Sequence, residues 1–201
     1  MNILAHAYLS DRRPGLLIGN FIADFVKGDP AHARHGLRPD EVAGIRLHRA
    51  IDTFTDAHPA VAAVRALLYP RCRKYAGVAV DVFFDHYLAR RFAALTGEPL
   101  PAFVDFFYAT LRAHHDRLPA GARRMADAMI AQDWLGHYQT FDGINQALTG
   151  LSRRTAYPSG LDTAVADLRT HYGAIGRLFG EFWPELTIFV AQYVASTAPD
   201  A

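Results

Sequence analysis

Apolar residues recur along the chain at three- and four-residue spacing, and period-two alternation is nearly absent. Residues 2–10 form a short apolar segment that closes at Ser10-Asp11, and Arg13-Pro14-Gly15 reads as a turn. Leu16 to Val26 predicts a buried helix with Gly28 as its C-cap. The polar stretch 29–38, with His32 and His35, predicts an exposed loop. Pro39, Asp40 and Glu41 mark a strong helix start, because proline fits the first turn and acids favour that end; the helix runs to about Thr55. His58-Pro59 begins another, ending near Pro70. Further helices are predicted over Ala79 to Leu95, Pro101 to Leu118, Ala120 to Gly136 and Asp142 to Leu148. Leu161 to Phe182 reads as one long helix, and Pro184 as the opening of a last one, to about Ala195.

Short Pro/Gly turns join these elements, and no repeat or linker divides them. The expected architecture is all-α, a single-domain irregular helical bundle over residues 1–201, a length that can bury a substantial core. A net charge of +1 gives no reason to expect a nucleic-acid partner. Cys72 is the sole cysteine, which excludes an intrachain disulfide and a four-cysteine zinc site. No stretch has the apolar length of a membrane span, and MNILAHAYLSDRR lacks the basic leader and long apolar run of a signal peptide. A cytoplasmic protein that does not engage membranes is expected. Oligomeric state has no signature here.

Three segments carry candidate chemistry. In GIRLHRAIDTFTD, residues 44–56, His48 and Asp52 are four apart and share a helical face, with Asp56 one turn on. That spacing suits a hydrogen-bonded surface pair as well as two ligands for Mn²⁺, Mg²⁺, Fe²⁺ or Zn²⁺. In VAVDVFFDHYLARRF, residues 78–92, Asp81 and Asp85 repeat the spacing and His86 adjoins Asp85. Two like charges one turn apart need a compensating cation or nearby arginines. The third segment is amino-terminal. His6 lies in an apolar stretch, and Asp24 is flanked by Phe21, Ile22, Phe25 and Val26, so burial of Asp24 against a metal or an arginine is expected. Gly19, just before, suggests close helix packing. Phosphate-binding glycine loops and nucleophile elbows are absent from the sequence.

The pieces N2-I-L-A-H6, G19-N-F-I-A-D24-F-V-K-G28, G44-I-R-L-H48-R-A-I-D52-T-F-T-D56 and D81-V-F-F-D85-H86-Y-L resemble the acyl carrier protein phosphodiesterase family. The likeness continues through D133-W134-L135, G150-L-S-R-R154 and F182-W183-P184, and so covers nearly the whole chain. The resemblance implies a helical, HD-phosphohydrolase-like hydrolase that removes 4′-phosphopantetheine from holo-acyl carrier protein, with Mn²⁺ as usual cofactor and Mg²⁺ or another divalent ion as alternatives. One departure from the HD pattern is that no contiguous His-Asp pair occurs; Asp85-His86 has the reverse order. Carried onto this sequence, Asp24, His48, Asp52 and Asp81 would hold the metal, and Asp85, His86 and His6 would serve catalysis. Carrier proteins of this kind are small and acidic, so Lys27, Arg46, Arg49, Arg90 and Arg91 are candidates for docking them, and Arg153-Arg154 could fold over the site. Two other readings stay open: an HD-like phosphohydrolase for a nucleotide or other small phosphoester, and a non-enzymatic helical binding protein.

Overall fold

The computed structural model describes residues 3–197, and every regular element among them is helical. In chain order these are α1 (Ile3–Tyr8), α2 (Pro14–Ile22), α3 (Pro39–Ala57), α4 (Pro59–Cys72), α5 (Ala76–Arg90), α6 (Phe92–Thr96), α7 (Leu100–Ala113), α8 (Ala120–Ala131), α9 (Trp134–His137), α10 (Phe141–Ser152), α11 (Val165–Thr170) and α12 (Tyr172–Thr197). They form an irregular bundle, and no helix of the described residues is long and apolar enough to cross a membrane. Proline is the first residue of α2, α3 and α4. Its fixed φ and missing N–H suit that position, so Pro14 opens a helix where the sequence pattern suggested a turn.

The carboxy-terminal third differs from the pattern. The expected helix over Leu161 to Phe182 is interrupted at His171, and α12 then runs 26 residues straight through Pro184. A proline there removes one backbone hydrogen bond, but Gly180, whose carbonyl loses its partner, is exposed to water. Phe179, Phe182, Trp183 and Leu186 are buried on both sides of the proline, and that packing keeps the helix continuous. The expected helix from Ala120 to Gly136 also breaks. Asp133 adopts a left-handed φ of 44°, and its carboxylate accepts the amide of Gly136 at 3.3 Å, capping α9.

α5 is the spine of the core. Val80, Phe83, Phe84 and Leu88 are fully buried, and the helix packs against α1, α4, α10 and α12. The most extensive helix contact is that of α2 with α3, and it is close at its glycines. A Cβ added at Gly19 would lie 2.0 Å from the Glu41 carbonyl oxygen, and one at Gly44 would lie 2.2 Å from that of Leu16. Only glycine permits this approach, as the sequence suggested for Gly19. Glu41 anchors the start of α3: its carboxylate accepts the Arg38 amide at 2.7 Å and both Arg117 Nη2 contacts at 2.9 Å.

Candidate metal centre

The α2–α3 contact sets the geometry of the site. Gly44 and His48 are one turn apart, so the face of α3 that touches α2 also carries His48. α1 brings His6 alongside, and the two imidazoles stack with centroids 4.1 Å apart and planes 19° from parallel. Both rings turn Nε2 to Asp52, which receives His6 on Oδ1 and His48 on Oδ2, each at 3.1 Å. Asp24 Oδ1 lies 3.6 Å from the same His48 nitrogen. Ligand atoms of His6, His48 and Asp52 all fall within 4.8 Å of one another.

Burial and pairing set the charges. Burial pushes the His6 imidazole down to about 4 against the pull of the Asp52 hydrogen bond, so it is neutral at pH 7. For His48 burial also opposes the charge, but the hydrogen bonds to Asp24 and Asp52 outweigh it and hold the ring up at about 9. Burial disfavours the Asp52 carboxylate, yet the bonds from His48 and His6 hold its carboxyl far below the usual range. The bond from His48 lowers Asp24 as well. Two imidazoles and ionised carboxylates converging in this way are a chemically suitable donor set for a borderline or hard divalent cation.

Not all of the sequence candidates share this place. The expected burial of Asp24 is not found: its side chain is 83% exposed. α2 ends at Ile22, and the next residues turn through a tight 3₁₀ segment, Ala23–Phe25, that swings Asp24 outward and leaves Phe25 exposed too. Asp81 is half-buried on α5, where burial raises its carboxyl, and it lies outside the three-residue group. Asp85 is fully buried, and its two oxygens accept the backbone amides of Leu4 at 2.8 Å and Ala5 at 3.2 Å. Burial, partly offset by those bonds, pushes its carboxyl up to about 7. His86 donates Nδ1–H to the Tyr138 carbonyl at 2.7 Å and meets the Tyr172 hydroxyl at 3.3 Å; burial lowers it. Asp85 and His86 are thus held by backbone and tyrosine partners, and neither lines the cleft described next.

The histidine pair forms one wall of a cleft of about 710 Å³. Leu17, Phe21, Phe107 and Trp134 supply apolar surface, and Arg153 and Arg154, at the end of α10, supply positive charge. Lys27, Arg46, Arg49, Arg90 and Arg91 are exposed but do not line it. Arg49 instead donates to the Val26 carbonyl at 3.0 Å, tying α3 to the stretch of chain that follows Asp24. Asn20 is buried beside the two histidines and borders the cleft; sequence reasoning misses it, because an asparagine among apolar residues has no local signature. Cys72 lies between Arg71 and Arg73 in sequence, but these do not activate it. Burial pushes its thiol up to about 11, and Arg71 pairs with Asp167.

Residues 1–186 match the family model described as acyl carrier protein phosphodiesterase. A protein of that name from Enterobacter sp. (strain 638) is 34% identical over 189 residues, covering 94% of this chain and 96% of the relative. Another from Salmonella agona (strain SL483) is 34% identical over 193 residues, covering 96% and 98%. No solved structure matches the chain.

Proposed function

The chain belongs to the acyl carrier protein phosphodiesterase family, and from that premise we propose that it is a divalent-metal hydrolase releasing 4′-phosphopantetheine from holo-acyl carrier protein in the cytoplasm. The observation that carries the reading is the convergence of His6, His48 and Asp52, with Asp24 at its edge, beside a cleft that His6, Asp24 and His48 line together with Arg153 and Arg154. The grouping of two histidines and an aspartate also supports an HD-phosphohydrolase-like arrangement, without the contiguous His-Asp pair.

In this reading His6, Asp24, His48 and Asp52 hold Mn²⁺, with Mg²⁺ as an alternative. The ion, when bound, supplies Lewis-acid stabilisation of the phosphoryl oxygens and lowers the pKa of water. Asp52 is already ionised at pH 7 and offers an electron pair, and His6 is already neutral, so its Nε2, which donates to Asp52, would offer one once its hydrogen moves to Nδ1. His48 is protonated there, so uptake of the ion releases a proton. Arg153 and Arg154 meet the phosphate charge, and Leu17, Phe21 and Trp134 keep water from the arm lying in the cleft. Hydrolysis breaks the bond between phosphorus and the serine oxygen; water supplies the oxygen to phosphorus, and the serine oxygen leaves with a proton.

Incubation of the purified protein with holo-acyl carrier protein and Mn²⁺, followed by intact mass measurement, tests this. The expected result is loss of the phosphopantetheine mass, abolished in His48→Ala and Asp52→Ala with the helical signal retained. An unchanged carrier mass would overturn the reading, and turnover of a small phosphodiester in the same preparation would favour the small-phosphoester alternative. Retained activity in either variant would remove that residue from the ligand set.

A further inference from the structure

Asn20 is 1% exposed and sits beside Gly19 where α2 and α3 touch most closely. Its amide has three partners. Nδ2 donates to the His6 carbonyl oxygen at 2.9 Å and to Ser10 Oγ at 3.1 Å, and Oδ1 lies 2.9 Å from His48 Nδ1. Ser10, also fully buried, donates to the same His6 carbonyl at 2.9 Å.

The chemistry of these groups leaves one assignment. A carbonyl oxygen only accepts, so the NH₂ end of Asn20 must face His6, and the amide oxygen must then face His48. An amide oxygen also only accepts, so His48 Nδ1 must carry a hydrogen. The nitrogen turned to Asp52 and Asp24 is therefore Nε2, by the bond behind the ring as well as by the carboxylates in front of it. His6 differs: its own Nδ1 is buried with no hydrogen-bond partner. One imidazole of the stacked pair is oriented from behind, and the other is oriented by its carboxylate and by the ring it stacks on.

We propose that Asn20 is a positioning residue for the metal centre: it fixes His48 as the Nδ1–H tautomer, presents Nε2 to a divalent cation, and ties the His6 backbone to His48 so that both rings hold one geometry. The proposal rests on the metal-dependent reading above. A partner of this kind behind a ligating histidine contributes about 10- to 100-fold in metal affinity. Local sequence cannot reveal it, because the three partners come from α1, the turn after it and α3.

The test uses the full chain with Zn²⁺ as a diamagnetic probe and Mn²⁺ for affinity. In the wild-type protein loaded with Zn²⁺, two-bond ¹⁵N–¹H correlations should show His48 with a hydrogen on Nδ1 and none on Nε2; the reverse pattern overturns the proposal without any variant. Titration calorimetry should show Asn20→Leu binding Mn²⁺ about 10- to 100-fold more weakly. Ser10→Ala, which removes both bonds of the Ser10 hydroxyl but not the one from His48 to Asn20, should stay within about twofold of wild type, whereas a merely structural role predicts that it behaves like Asn20→Leu. Wild-type affinity in Asn20→Leu, or equal loss in Asn20→Leu and Ser10→Ala, would overturn the proposal while leaving the metal reading intact. Absence of Mn²⁺ and Zn²⁺ binding in the wild-type protein would instead overturn the metal reading, and Asn20's role with it.

Discussion

Substitution of Gly44 by alanine measures how far the site depends on the α2–α3 contact. A Cβ at 44 would sit 2.2 Å from the Leu16 carbonyl oxygen and 2.8 Å from the Asn20 amide nitrogen. An ordinary carbon–oxygen contact needs about 3.3 Å, so the helices must part by about 1 Å. The obstructing atoms are backbone and cannot rotate away. The cost therefore belongs at the upper end of overpacking, about 3 kcal/mol. For a chain of this size each kcal/mol moves Tm by roughly 2–4 °C, giving a fall of about 6–12 °C. The same displacement stretches the 2.9 Å bond from His48 to Asn20 beyond hydrogen-bonding range, so metal affinity should fall together with stability. Gly180→Ala is the control. It lies within α12 with nothing within 4 Å of an added Cβ, and helix propensity alone should stabilise it by about 0.8–1 kcal/mol. Thermal melts by circular dichroism and Mn²⁺ titration of both variants make the comparison. A Gly44→Ala protein melting within about 2 °C of wild type, with unchanged affinity, would refute the reasoning.

Three further outcomes are expected. Arg117→Ala leaves the buried Glu41 carboxylate without its guanidinium and should cost about 3 kcal/mol or more in denaturant unfolding, whereas removing both charges together, in Glu41→Gln with Arg117→Met, should cost less; equal losses would argue against an unpaired buried charge as the cause. Cys72, fully buried with its thiol pushed up to about 11, should react with an aromatic disulfide far more slowly in the native than in the denatured protein. Between pH 7 and 9 its native rate should climb with pH without levelling, because the thiolate stays scarce throughout; a plateau near pH 8.5 would contradict the assignment. Raising salt should lower kcat/KM on the carrier protein much more than on a small phosphodiester, and charge reversal at Arg46, Arg49, Arg90 or Arg91 should act likewise without emptying the metal site; equal salt sensitivity would defeat docking through these side chains.

What is legible in the sequence is whatever is local. Pro39 with two acids behind it announces α3, and the four-residue spacing of His48 and Asp52 puts both on one helical face. Such features depend on a single helix. Asp24 shows the limit: four apolar neighbours argue for burial, but α2 ends two residues earlier and the helical period no longer applies. Pro184 misleads for the opposite reason, since a local stop signal loses to the burial of Phe182, Trp183 and Leu186. Asn20 and the wall of α10 need the tertiary fold, because their partners are distant in sequence. Arg153-Arg154 stands out as a basic pair, but only the fold gives the cleft it lines.

α1 has six residues, too few to persist as a helix by itself in water. Its first turn is held by Asp85, a carboxylate 81 positions along the chain from Leu4, buried in the middle of α5. His6 therefore reaches its place beside His48 only after the chain has closed that long loop. A half-folded chain carries His48 and Asp52 together on α3, with His6 present in the chain but not yet held beside them. The three-residue cluster is thus a product of tertiary closure, and loosening α1 from α5 would open it without touching either side chain on α3.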